Sequence, residues 1–129
     1  MTKDDYVSLE VAKKLQEKGY DEPCLAYYFQ EKLINVTSQF MGSDVNTIYQ
    51  ESRSQMYGNV PAPTLYDAQK WLRERGYYVE VGIYDKWEWS FVIYGYDEEM
   101  CITMKYADIK YNTYEEALNA GILESLNYI

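Results

Sequence analysis

The sequence predicts a single α+β domain over residues 1–129, in which about three helices pack on one face of an antiparallel sheet. The prediction rests on three observations. A chain of 129 residues is typical of one domain. Helical periodicity at 65–75 gives way to alternating periodicity over 77–106. Further helical stretches lie near the beginning and the end of the chain, where they can cover such a sheet.

The first helix is expected over 9–18. Ser8 stands where a hydroxyl caps the first helical turn, and Gly19 stands where helices commonly end. Its apolar side chains recur at helical spacing and are Leu9, Val11, Ala12 and Leu15.

Alternating apolar residues then predict two strands within 24–37, joined by a polar turn near 30–32. The residues that carry the alternation are Leu25, Tyr27, Phe29, Ile34 and Val36. Two arrangements stay open, because these strands can join the main sheet and give it five strands, or can form a separate hairpin.

Residues 38–63 show the weakest pattern. Val45, Ile48 and Tyr49 have helical spacing, and Ser43 or Asp44 could cap a short helix there. The alternative is a functional loop, because unstructured connections of this length are uncommon inside compact domains.

The second helix is expected over 65–75, capped by Thr64 and ended by Gly76. The sequence at 70–77 is similar to that at 13–20, and both finish with Gly-Tyr. A duplication and a shared way of ending helices explain this similarity equally well.

Alternation over 77–93 predicts a hairpin whose apolar side chains lie on one face. These side chains are Tyr77, Val79, Val81, Ile83, Trp89, Phe91 and Ile93, all at odd positions. Odd residues can face odd residues only across a loop with an odd residue count, so we expect a three-residue turn at 85–87.

A third strand is expected over 100–106, where the apolar residues stand at even positions. They are Met100, Ile102, Met104 and Tyr106. A four-residue turn at 95–98 would place Ile93 opposite Met100, and by the same register Phe91 opposite Ile102 and Trp89 opposite Met104. The last helix is expected over 114–127, begun by a capping box of Thr113 and Glu116.

The other sheet face is expected to be rich in tyrosine and glutamate, and it gives the candidate site. Its proposed interaction residues are Tyr78, Glu80, Tyr84, Glu88 and Tyr94, flanked on the third strand by Cys101, Thr103 and Lys105. A solvated sheet face has this composition. The alternative is a binding or self-association face, because tyrosine is enriched at protein interfaces.

The amino-acid composition narrows the range of possible functions. The net charge of −9 disfavours direct binding to nucleic acid or to an anionic membrane surface. The sequence has no histidine, which removes the commonest general base and metal ligand. Cys24 and Cys101 have no metal or redox spacing and indicate a reducing compartment. We therefore expect a cytoplasmic protein with no cofactor, and we predict no catalytic or metal-binding residue.

Three stretches resemble a family of small uncharacterised proteins from gut Bacteroidales genomes and their phages or mobile elements. They are 6–24, 62–76 and 111–117, which read YVSLEVAKKLQEKGYDEPC, APTLYDAQKWLRERG and YNTYEEA. The resemblance implies a phage or mobile-element context and carries no catalytic residues with it.

The function expected from these observations is that of a non-catalytic interaction or accessory module with an unknown protein partner; it could also form a homo-oligomer. One alternative is an acidic inhibitor that mimics DNA toward a nucleic-acid enzyme or a defence protein. The other is a metal-dependent hydrolase built from carboxylates.

Overall fold

The structure, a computed structural model, describes residues 2–35 and 58–129, and the fold class is α+β. The chain forms two compact units, Met1–Thr64 and Leu65–Ile129. The described residues contain three α-helices and two three-stranded antiparallel sheets. The predicted class is thus confirmed, while the single-domain organisation stays a prediction. Of the region 38–63, in which a helix or a functional loop was expected, residues 38–57 lie outside the described residues, and Val60–Pro61 forms a short strand.

The N-terminal unit has one α-helix and one small sheet with strand order β2-β1-β3. Its elements are α1 (Leu9–Glu17), β1 (Ala26–Phe29), β2 (Lys32–Asn35) and β3 (Val60–Pro61). Ser8 begins α1 as expected, because its Oγ accepts a hydrogen bond from the backbone N–H of Val11 at 3.3 Å.

The β1–β2 hairpin lies in a sheet of its own with β3, so the separate arrangement is the one adopted. Its turn is Gln30–Glu31, and both residues have positive φ, 49° and 66°. Two positive φ angles match the twist of flanking strands in a two-residue hairpin turn. The expected inward position of Leu25 is wrong, because the strand begins at Ala26 and Leu25 is exposed.

Both faces of β1 are buried, which a simple alternation does not predict. Tyr27 packs with Phe29 and Ile34 on one face. On the other, the Tyr28 hydroxyl donates to the Val7 carbonyl at 2.7 Å. Burial raises the pKa of the Tyr28 hydroxyl above its ordinary value, since the phenolate would lose its hydration.

The helices at 9–17 and 65–74 end in the same way. Gly19 and Gly76 have φ of 94° and 89°, a region that suits glycine. The tyrosine after each glycine donates its backbone N–H to the leucine carbonyl five residues earlier, at 2.9 Å and 3.0 Å. This closing hydrogen bond is that of the Schellman motif. The similar sequences at 13–20 and 70–77 thus form the same helix end.

The C-terminal unit packs two helices against a sheet of strand order β4-β5-β6. Its elements are α2 (Leu65–Glu74), β4 (Tyr78–Asp85), β5 (Glu88–Asp97), β6 (Met100–Tyr106) and α3 (Tyr114–Ser125), which a 3-10 turn extends over Leu126–Tyr128. Thr113 begins α3 as predicted, because its Oγ1 accepts from the Glu116 backbone N–H at 3.1 Å.

The β4–β5 pairing has the predicted register but not the predicted turn. Val79 lies opposite Ile93, and Val81 lies opposite Phe91. The turn has two residues, Lys86 and Trp87, instead of the expected 85–87. A β-bulge between Ile83 and Asp85 supplies the extra residue, so odd positions still face odd positions.

The predicted β5–β6 register is wrong. Ile93 lies opposite Lys105 rather than Met100, and Ile102 lies opposite Gly95. The turn is the residue pair 98–99 rather than 95–98, and a second bulge near Met104 shifts the register between Ile93 and Tyr94. Lys105 therefore shares the helix-covered face with Ile93, although the sequence placed it on the other one.

The helix-covered face of the sheet, called here the inner face, forms the core of this unit. Val79, Phe91 and Ile93 are buried there, as predicted, whereas Ile83, which was expected to be buried with them, is 73% exposed. The helix α3 comes so close that a Cβ on Gly121 would lie 2.6 Å from Val79 Cγ1 and 3.1 Å from Phe91 Cγ. Glycine at this position thus sets the distance between helix and sheet.

Candidate interaction face of the sheet

The outer face is the side of the β4–β6 sheet opposite α3. All five predicted interaction residues lie on it, because the β4–β5 register keeps even positions of both strands together up to the bulge. Its residues are Tyr78, Glu80, Gly82, Tyr84 and Asp85 from β4, Glu88, Ser90, Val92, Tyr94 and Tyr96 from β5, and Cys101, Thr103 and Tyr106 from β6.

A tyrosine group occupies the end of the outer face where β4 begins. Tyr78 lies directly opposite Tyr94 on the neighbouring strand. The ring of Tyr96 meets that of Tyr78 edge to face, with centroids 5.8 Å apart and planes at 73°. Such edge-to-face pairs are attractive because the ring edge is positive and the ring face negative. The rings are thereby held as a preformed aromatic surface.

A second group lies at the opposite end and combines Tyr84, Glu88 and Lys110. The Lys110 ammonium lies 4.0 Å from the centre of the Tyr84 ring and 3.5 Å from the Glu88 carboxylate. The Tyr84 side chain is 61% exposed although the cation is above it. The bulge at this position makes the arrangement, since it places Tyr84 and Asp85 on the same face.

The sequence analysis missed Tyr96, Tyr106 and Lys110 on this face. Tyr96 continues the even-numbered series of β5, so a longer strand assignment would have found it. Tyr106 lies opposite Val92 because of the second bulge, which no periodicity reveals. Lys110 follows β6 in a segment expected to be a linker, and only the bridge between Trp89 and Tyr111 fixes its position.

The outer face combines tyrosine rings with carboxylates. Tyrosine offers a large contact area with few rotatable bonds and a hydroxyl that can donate or accept. Glu80 and Asp85 are exposed and supply negative charge beside the rings, while Lys110 partly offsets Glu88. The face therefore suits a partner surface that combines apolar or aromatic groups with cations.

A cleft of about 560 Å³ lies in the N-terminal unit. The hydroxyl of Tyr28 is already committed there as a donor to Val7. The residues that line it are Lys3, Tyr6, Tyr28, Glu31, Lys32 and Leu33. Two ammonium groups and one carboxylate give this cleft mixed charge.

Metal ligands and membrane spans were sought in the described residues. Within 2–35 and 58–129, no three or more cysteine, aspartate or glutamate side chains gather closely enough to hold a metal ion. None of the helices described is both long and apolar enough to cross a membrane.

Comparisons with known proteins add no assignment. No protein-family model, curated protein or solved structure matches the chain. The resemblance to the Bacteroidales and phage family therefore stays a prediction.

Proposed function

We propose that the protein is a non-catalytic interaction module whose outer sheet face binds a partner protein. The observation that carries the proposal is that α2 and α3 cover only the inner face, while the outer face presents tyrosine rings. Tyr84 and Tyr106 are among the most exposed aromatic side chains in the described chain. Interfaces are enriched in tyrosine at their centres.

The composition of the face indicates the kind of partner. Exposed Glu80 and Asp85 beside the rings favour a partner that brings arginine among apolar side chains, because guanidinium groups pair with carboxylates and stack on aromatic rings. The proposed partner is a cytoplasmic protein of a Bacteroidales host, in keeping with the phage or mobile-element context that the resemblance implies.

The test is affinity capture from a Bacteroidales lysate, followed by purification of the captured protein and measurement of its Kd. We expect Tyr84→Ala to weaken binding by about tenfold or more, as for a contact aromatic. Tyr66→Ala is the matched control, because Tyr66 is 63% exposed on α2 and lies away from the sheet face. Equal affinities of the two variants would contradict the proposal.

Mimicry of DNA is a second candidate, favoured by the net charge of −9 and the carboxylates on this face. It predicts a basic nucleic-acid-binding partner whose affinity falls steeply with salt, because exposed charges are screened within about 8 Å at physiological ionic strength. The ion pair of Glu88 with Lys110 weighs against it, since a mimic of phosphates needs uncompensated negative charge. Retention of binding at high salt, together with sensitivity to Tyr84→Ala, would favour aromatic recognition.

A further inference from the structure

The cleft of the N-terminal unit has an apolar wall whose residues are held in place by the fold. Tyr28 lies directly opposite Leu33 in the β1–β2 hairpin, so the two side chains share one sheet face. The Tyr28 hydroxyl donates to the Val7 carbonyl at 2.7 Å, which fixes the ring. Tyr6 is 8% exposed, and its backbone forms a bridge with Thr64. The two tyrosine rings and the leucine thus form a preorganised wall for a ligand.

Three charged side chains line the same cleft, and they are Lys3, Glu31 and Lys32. All three are exposed, and no ion pair between described residues engages any of them. Asp5, which is close to Lys3 in the chain, is committed elsewhere, because its carboxylate accepts from the Thr2 backbone N–H at 2.7 Å. The whole chain has a net charge of −9, whereas the described lining of this cleft has two cations and one anion. These three charges are therefore available to a ligand.

The backbone determines where the charges lie. Gln30 and Glu31 form the hairpin turn with φ of 49° and 66°, a conformation that asparagine and glycine adopt more readily. Lys32 follows at once as the first residue of β2, so a carboxylate and an ammonium group stand at the same end of the cleft. The 3-10 turn Lys3–Asp5 leads directly into Tyr6, which places the second ammonium group beside the apolar wall.

We propose that this cleft binds a small zwitterion with an apolar or aromatic body, of the α-amino-acid class. The ligand carboxylate faces Lys3 and Lys32, its ammonium group faces Glu31, and its side chain packs on the tyrosine rings. An amino acid carries both charges on one carbon, which matches the neighbouring positions of Glu31 and Lys32 in the chain. The proposal concerns the N-terminal unit and stands independently of the function proposed for the outer sheet face.

Two other classes of ligand match this lining less well. A phosphate monoester carries between one and two negative charges at neutral pH, and the Glu31 carboxylate would repel it. A purely apolar ligand would leave Lys3, Glu31 and Lys32 without partners in the complex. The zwitterion is the class that uses all three charges and the apolar wall together.

The first experiment titrates L-phenylalanine into the isotope-labelled full chain and follows the amide chemical shifts by NMR. We expect a Kd on the order of 1 mM or tighter, as for a ligand of about a dozen heavy atoms. The amides that shift should belong to the cleft and include those of Tyr6, Tyr28 and Leu33. Hydrocinnamate lacks the ammonium group and phenethylamine lacks the carboxylate, so each should bind about fivefold more weakly than phenylalanine.

The second experiment repeats the titration with variants of the charged residues. Lys32→Ala should weaken phenylalanine binding by about fivefold. Lys13→Ala is the matched control, because it removes the same charge from an exposed position on α1 of the same unit. Glu31→Gln keeps the side-chain shape and should weaken phenylalanine but not hydrocinnamate, which has no ammonium group. This change in selectivity is a result that misfolding would not produce.

Three results would overturn the proposal. The first is an absence of amide shifts in the cleft at phenylalanine concentrations up to about 10 mM. The second is an equal loss of affinity in Lys32→Ala and Lys13→Ala, which would mean that net charge rather than the cleft controls binding. The third is tighter binding of adenosine monophosphate than of phenylalanine at the same amides, which would assign the cleft to phosphate esters.

Discussion

Ile93 and Val92 are neighbours in the chain, yet Ile93 is fully buried on the inner face while Val92 lies between Glu80 and Tyr106 on the outer face. The same contrast holds where α3 packs on the sheet. The inner face is packed so tightly that Gly121 leaves no room for a methyl group, whereas at Gly82 on the outer face a Cβ would meet nothing within 4 Å. One face is thus packed against α3, while the other is open at Gly82.

The largest expected effect comes from a substitution at the centre of the packed inner face. Ile93→Ala should lower the free energy of unfolding by about 3 kcal/mol, because a buried branched side chain leaves a cavity. Val92→Ala is the matched control on the outer face and should cost about 1 kcal/mol or less. All three tryptophans lie in the C-terminal unit, so denaturant titration followed by tryptophan fluorescence reports on it. Equal losses of unfolding free energy in the two variants would contradict the difference in packing between the inner and outer faces.

The contact between α3 and the sheet gives the second prediction. Gly121→Ala should destabilise the unit by about 1–2 kcal/mol, because overpacking against Val79 and Phe91 outweighs the gain in helix propensity. Gly82→Ala should be close to neutral, since its methyl group meets open space. The same denaturant titration measures both.

Removing the Val79 side chain that Gly121→Ala would meet gives a sharper form of the second prediction. In a Val79→Ala background, Gly121→Ala should cost less than in the wild type, because the Cγ1 atom that it meets at 2.6 Å is gone. A stabilising effect of Gly121→Ala in the wild type would show that α3 moves away from the sheet without cost.

The start of α3 gives a third, smaller effect. Thr113→Ala should cost about 1 kcal/mol, because the Glu116 N–H loses its acceptor at 3.1 Å. Thr113→Ser keeps a hydroxyl and should cost much less. The denaturation midpoints of the two variants measure how much the capping hydrogen bond stabilises α3. Identical midpoints would mean that water satisfies the Glu116 N–H equally well.

The smallest effect concerns Tyr111, which reaches over the inner-face residue Phe91 with ring centroids 6.0 Å apart. Burial, followed by the nearby carboxylates of Asp108 and Glu124, raises the pKa of its hydroxyl above the ordinary value. A raised folded-state pKa means that the neutral phenol favours folding. This contribution is complete below the unfolded pKa of about 10 and is lost as pH rises through the folded pKa.

Tyr111→Phe should therefore weaken the decline in stability above pH 10. The measurement is the free energy of unfolding of variant and wild type at a series of pH values between 8 and about 12. Parallel curves for the two proteins would contradict the assignment to Tyr111.

Much of the candidate site was open to prediction because it depends on local alternation. Tyr78, Glu80, Glu88 and Tyr94 share a face through the period of two, and Tyr84 joins them through the bulge. Tyr106 and Lys110 could not be assigned, since the first depends on a bulge in β6 and the second on a long-range bridge at Trp89. The functional role of the face stays a prediction.

The order of the amino acids alone was enough to predict the helix starts at Ser8 and Thr113, the helix ends at Gly19 and Gly76, and the burial of Val79, Phe91 and Ile93. Each of these depends on interactions within a few residues or on side-chain alternation. The folded chain was needed for the two bulges, the register of β6 and the pairing of β1 with Val60–Pro61. A bulge adds one residue without changing the local pattern, and pairing across more than thirty residues is chosen by packing, so neither leaves a periodic signal.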